Sequence, residues 1–438
     1  MALPELIEIV PPAQPVRAEI TVPGSKSITN RALILAALAR GEVTLRGALW
    51  SEDTEIMVAC LRQLGFEVRS EKDPAEICNR TLTVRGLGGD IPNAGTLEKP
   101  LELFVGNAGT AARFLSAFVC LGPGVYRLSG VPRMHERPQA SLFQALRELG
   151  YRVESEQGND RLPVRIHGGG RDRAGLGTPR CRVSIEHSSQ FASGLLLSAA
   201  AGGWEVQVIG ENAEESPYVA MTSKLMGVFP GQGGTFQIEP DASSGSYFLA
   251  ADRLAIAGLA SSPGAIRVKE WPQSDWQMDA RLGGVSGWPA AFSRKTDLAD
   301  SIMTAIAISP LAASAVRFTD LGRLRVQECE RVAALRTELI RCGARVEEEG
   351  DTLTVWPSAL RGAEIETYHD HRMAMCFATL GLKVPGMKIK NPACVKKTFP
   401  DFFQKLSGLP PHGLGAEIWE IKDGRRVRRL AGADLFAE

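Results

Sequence analysis

No run of about 18 uninterrupted apolar residues occurs in the 438-residue chain, so a membrane-crossing helix is not expected. The opening residues, MALPELIEIVPPAQP, lack a basic segment followed by an apolar one. No secretory signal is therefore expected, and a cytoplasmic location is. Net charge is lacking too, because 50 Lys and Arg balance 50 Asp and Glu. A neutral chain has no bulk attraction for nucleic acid or an anionic membrane, so any anion site must come from local clustering. Cys-X-X-Cys pairs are absent, and no Cys/His spacing suits zinc. The eight cysteines read as reduced thiols. Cys60, Cys120, Cys342 and Cys376 lie in apolar helical stretches, where a free Cys behaves as a small hydrophobe. Nothing calls for a metal, a nucleotide cofactor or a covalent intermediate.

What is present is a globular composition, 44% hydrophobic and 23% charged, in a chain too long for one ordinary core. One grammar recurs six times. A polar or glycine-bearing turn opens an almost wholly apolar helix, glycine ends it, and a β-rich stretch follows. The six helices open at SKSITNRALILAALARG (Ser25), GNAGTAARFLSAFVCLG (Gly106), HSSQFASGLLLSAAAGG (His187), DASSGSYFLAADRLAIAG (Asp241), TDLADSIMTAIAISPLAA (Thr296) and YHDHRMAMCFATLGL (Tyr368). Three further helices share a different ending: VACLRQLGFEVRS, FQALRELGYRVES and ALRTELIRCGARVEE. Each is amphipathic, stops at a glycine and runs into an alternating strand.

A helix apolar on every side belongs at the centre of a domain. Its N-terminus carries about half a positive charge and several unpaired N–H groups. Three such ends brought together form an anion site that needs no metal. Six repeats divide as three and three. The expected lobes are residues 23–241, and residues 1–22 with 242–438, facing each other across a cleft. The crossings are expected near TVPGSKS and in GQGGTFQIEPDASSGS.

The polar turns hold the chemistry. Ser25, Lys26, Ser27 and Arg31 share one helix start, a grouping that suits phosphate and carboxylate. Asn107, Gly109 and Thr110 form a turn whose N–H groups can face an anion. Arg137 precedes a proline, and its planar fork fits a carboxylate or a phosphate. Ser188, Ser189 and Gln190 are more than one N-cap requires. Asp300 stands at the start of the fifth apolar helix, where it could cap the helix or accept a proton. Glu328 and Arg331 are spaced to share one helix face. His371 and Arg372 concentrate charge beside an apolar helix, where burial is costly.

These turns resemble a known family. PGSKSITNRALILAALA, GNAGTAARFL, SGVPRMHERP, HSSQF, YHDHRMAMCFATLGL and KKTFPDFF are similar to the 5-enolpyruvylshikimate-3-phosphate synthases, from about Ile20 to about Leu406. The resemblance implies a two-domain inside-out α/β barrel, each domain made of three βαβαββ repeats around buried parallel helices. It implies transfer of an enolpyruvyl group from phosphoenolpyruvate to the 5-hydroxyl of shikimate 3-phosphate, without a cofactor, by a monomer. Lys26, Asp300, Glu328 and His371 then form the catalytic set, with Asp300 as base and Glu328 moving the methylene proton. Shikimate 3-phosphate falls to Lys26, Ser27, Arg31, Ser188, Ser189, Gln190, Ser216, Tyr218, Asp300, Arg323 and Gln327. Phosphoenolpyruvate falls to Lys26, Asn107, Gly109, Thr110, Arg137, Gln190, Arg331, Arg372 and Lys397.

The chain departs from the family pattern in places. Gln327 stands where Lys is common, and Arg323 where Asn is, so Arg323 is expected to restore the lost charge. Glu215 precedes Ser216 where a serine is usual, which makes Ser216 the expected hydroxyl contact. Ala112 and Phe114 replace a frequent Met and Pro, which bears on sensitivity to glyphosate, the family's competitive inhibitor. Two rival readings differ in kind. The related transferase for UDP-N-acetylglucosamine carries a reactive Cys on a loop, and no such loop occurs here. A non-catalytic phosphate-ester binder draws support from Gln327, but Asp300, Glu328, Arg331 and Lys397 together argue for turnover.

Overall fold

A helix with no polar face has to be surrounded, and the six apolar segments are. The computed structural model describes residues 3–170, 178–210, 216–254, 264–285 and 287–438. The chain forms a central unit, Gly24–Glu239, and a terminal unit made of Met1–Pro23 with Pro240–Glu438. In the central unit the helices Lys26–Leu38, Gly109–Phe118 and Ser189–Gly202 pack on one another. Every residue of Gly109–Phe118 is buried. The terminal unit does the same with Ala242–Arg253, Ile302–Ile308 and His371–Gly381.

Each buried helix sits beside a parallel strand pair. In four cases a strand enters the helix and the next strand returns alongside it. These are Leu101–Phe104 with Val125–Ser129, Arg180–Ser184 with Glu205–Ile209, Ala291–Ser293 with Val316–Thr319, and Glu364–Ile365 with Met387–Lys390. The other two repeats trade their first strands. Ala18–Ile20 precedes the Lys26 helix yet pairs with Ile266–Val268. Gly234–Gln237 precedes the Ala242 helix yet pairs with Glu42–Leu49. In a strand–helix–strand unit of this kind the helix starts at the carboxyl end of its strand, the edge where ligands gather.

Antiparallel strands extend the sheets. The largest runs Glu364–Ile365, Met387–Lys390, Leu6–Val10, Glu417–Lys422, Arg425–Leu430. The amphipathic helices Glu52–Gln63, Ala140–Glu148 and Arg331–Arg341 cover other sheets. After each comes a glycine at positive φ, Gly65 at 96°, Gly150 at 83° and Gly343 at 93°. That left-handed step turns the chain into the next strand at little steric cost.

Two local expectations shift. Asp300 does not lie in the fifth helix, which begins at Ile302 after a turn. Glu328 and Arg331 do not share a helix face, since Arg331 is the first helical residue and Glu328 lies in the preceding turn. All eight cysteines are free thiols. Among the described residues no helix is long and apolar enough to cross a membrane.

Candidate active site

In the central unit the cations gather at the starts of the buried helices. Lys26 donates to Asp53 at 3.0 Å. Ser188 caps its helix by accepting from the Gln190 N–H at 3.3 Å. The Gln190 side chain then ties two helix starts together. Its amide donates to the Thr110 hydroxyl at 3.3 Å, and its carbonyl accepts from Arg113 at 2.8 Å. Arg137 reaches the Asn107 carbonyl at 3.3 Å. Gly109 makes this crowding possible: a Cβ there would stand 2.5 Å from Arg113 Nη1 and 2.8 Å from Arg137 Nη2. Ser189 is buried at the first turn of its helix.

Arg31 is buried among side chains and carbonyls of its own unit. It donates to Thr222 at 2.8 Å, the Ser27 carbonyl at 2.9 Å and Ser193 at 3.0 Å, with the Tyr218 carbonyl at 3.5 Å. The Phe114 ring lies 5.3 Å from its guanidinium carbon. Burial lowers the Arg31 pKa to about 10, so it stays charged at neutral pH. It braces the Lys26 and Ser189 helices against the helix Ser216–Val228. Glu215 and the Ser216 side chain lie outside the described residues.

The terminal unit gathers charges of both signs. Asp300 accepts from Arg294 at 3.0 Å and stands 3.3 Å from Arg372 and 3.9 Å from Arg331. Burial alone would raise its pKa. The charges of Arg372, Arg294 and Arg331 outweigh that and hold the carboxyl well below the usual range. Its side chain is 16% exposed. Arg331 is 1% exposed and is gripped by Asp370 at 2.6 Å and Glu328 at 2.8 Å. It also donates to the Gln327 amide oxygen, an acceptor that a lysine at that position would not supply. Burial lowers the Arg331 pKa, but Asp370, Glu328 and Asp300 raise it more, and it ends above its ordinary value.

Glu328 bridges two cations, because Lys397 donates to its other oxygen at 3.0 Å. Arg372 bonds the Ser243 hydroxyl, and its backbone N–H is capped by Asp370 at 2.8 Å. His371 is buried, with Nδ1 3.7 Å from Asp370. Arg323 and Gln327 belong to the short helical turn Gly322–Val326 and the residue after it.

Sequence reasoning passed over Asp53, Arg113, Asp279, Arg294 and Asp370. Asp279 is buried and accepts the Ser301 N–H at 2.6 Å. Burial first, then the Asp300 charge, raises its pKa to about 6. A carboxylate held anionic by three arginines and a second one bridging an arginine and a lysine are groups that could take and give protons beside an anion.

Fold and site together define a two-unit α/β transferase suited to phosphorylated and carboxylated substrates. The same fold occurs in an EPSP synthase from Acinetobacter baumannii, at TM-score 0.67 and 20% identity over 94% of this chain and 99% of that one. It occurs too in the enolpyruvyl transferase NikO from Streptomyces tendae, at TM-score 0.64 and 16% identity over 95% and 98%. The family model for EPSP synthase (3-phosphoshikimate 1-carboxyvinyltransferase) matches residues 10–283 and 295–406. A 3-phosphoshikimate 1-carboxyvinyltransferase of Opitutus terrae is 39% identical over 444 residues, covering 94% of this chain and 100% of its own. Another, of Trichormus variabilis, is also 39% identical, covering 90% and 96%. The chain belongs to the EPSP synthase family.

Proposed function

We propose that the protein transfers the enolpyruvyl group of phosphoenolpyruvate to the 5-hydroxyl of shikimate 3-phosphate and releases phosphate. Asp300 accepts the hydroxyl proton as the oxygen attacks C2. Glu328, between Arg331 and Lys397, enters protonated and gives its proton to C3. The tetrahedral adduct then returns one C3 proton to Glu328 and expels phosphate, which takes the proton held on Asp300. Arg331, Arg372 and Lys397 take the carboxylate and phosphate of phosphoenolpyruvate, with Arg137 and the Asn107–Thr110 turn as further donors. Lys26, Ser27 and the Ser188–Gln190 turn take the phosphate and hydroxyls of the acceptor. The protein works as a cytoplasmic monomer, in keeping with eight free thiols.

The observation that carries this reading is Asp300 and Glu328 sharing Arg331, one carboxylate ringed by arginines and the other bridging to Lys397. Phosphate release from the two substrates tests it. Asp300→Asn and Glu328→Gln should each lower kcat by about 10²–10⁴-fold while the protein stays folded. A wild-type protein that binds shikimate 3-phosphate but releases no phosphate would make the chain a non-catalytic binder.

A further inference from the structure

Arg294 closes a stretch, residues 284–294, that the family model leaves unmatched. It is nonetheless 2% exposed and donates to Asp300 at 3.0 Å. Its backbone is tied into the turn that follows the strand Ala291–Ser293. The Arg294 N–H bonds the Thr319 carbonyl at 3.1 Å, just past the strand Ala291–Ser293. The turn that follows is closed by the Ser293 N–H on Asp297 at 2.8 Å and the Lys295 N–H on the Ser293 hydroxyl at 3.1 Å. Asp300 is fixed from its other side, where the next backbone N–H is bound by Asp279.

We propose that Arg294 is a positioning residue for Asp300, orienting its carboxylate and keeping it anionic while Arg331 and Arg372 are occupied by substrate. This rests on the reading of Asp300 as the base. The charges that face Asp300 are Arg294 from the strand turn, Arg331 from its helix, Arg372 from the His371 helix, and the Asp279 carboxyl. Glu328 and Asp370 act on it through Arg331. A substrate bearing carboxylate and phosphate draws on Arg331 and Arg372, and their relief of Asp300 weakens at the moment the base is needed. Arg294 is not among the residues that take the substrate anions in this reading, so its charge stays with Asp300.

The test is the pH profile of kcat with both substrates saturating. Arg294→Met should move the acid limb up by about one unit or more, the usual effect of removing an adjacent charge. Turnover on the acid side then falls about tenfold per unit, while KM changes little. Arg294→Lys keeps the charge and should leave the limb in place. A uniform loss of kcat across pH in the Met variant, with no shift of the limb, would overturn the inference, as would a limb moved equally by Lys. Should the Met variant not fold, Arg294→Gln carries the same expectation. The wild-type profile is a test as well, since an acid limb at or above about pH 6 contradicts an arginine-held base. Asp300→Asn separates the two readings. If it keeps wild-type turnover, the assignment of the base fails; if it is inactive and the limb ignores Arg294, only the present inference fails.

Discussion

The two units use the same three-helix plan and arm it differently. At the helix starts of the central unit stand Lys26, Arg113 and Arg137, with Asp53 beside Lys26. At those of the terminal unit, Arg294, Arg331, Arg372 and Lys397 interlock with Asp300, Glu328 and Asp370. An excess of cations holds an anion. A balanced network of cations and acids moves protons between defined states, because each carboxylate is poised by neighbours that a ligand can engage. A duplicated scaffold thus carries two different sets of charges at corresponding helix starts.

That contrast can be broken from either side. The largest stability effect is expected in the terminal unit. Asp370→Ala leaves Arg331 buried without its main partner and should cost about 3–5 kcal/mol, read by denaturant unfolding. The central unit should show the reverse pattern. Lys26→Met and Arg137→Met each remove a charged donor that a ligand would meet, weakening substrate binding by about 10- to 100-fold in calorimetry. Their unfolding free energies should fall by less than that of Asp370→Ala, since Lys26 is 20% exposed against 1% for Arg331.

A smaller and sharper test lies with Asp279. Its pKa is raised from an ordinary 3.8 to about 6, so the folded state holds the proton more tightly than the unfolded chain does. Its contribution is full below about pH 4 and is lost as pH rises through about 6. Asp279→Asn keeps the oxygen that accepts from Ser301 and never ionises. It should raise stability at pH 7.5 by no more than about 2–3 kcal/mol and flatten the profile between pH 4 and 6. Urea melts across that range would show it.

The buried helices were legible because each pairs a polar turn with an apolar run, and both signals are local. The helix at Ile302 shows the limit of that reading. TDLADSIM looks continuous in sequence, but Asp300 is drawn out of the helix by three arginines from three different elements. Glu328 and Arg331 were paired for the wrong reason: their contact is real at 2.8 Å, yet it comes from a turn folding back on a helix start. Asp53 and Asp370 escaped notice because acids at helix starts are ordinary dipole partners. Their own cations, Lys26 and Arg331, lie 27 and 39 residues away. Nothing short-range marks Arg294 at all.

The exchange of first strands between the two units has a consequence for synthesis on the ribosome. The central unit is one continuous segment and has every strand and helix it needs once Glu239 has emerged. The terminal unit begins earlier and finishes last. Leu6–Val10 has no sheet to join until Met387–Lys390 and Glu417–Lys422 have been made. Leu6–Val10 must therefore travel unpaired through nearly the whole of translation, and Ala18–Ile20 until Ile266–Val268 has been made, and they are where a chaperone would be needed.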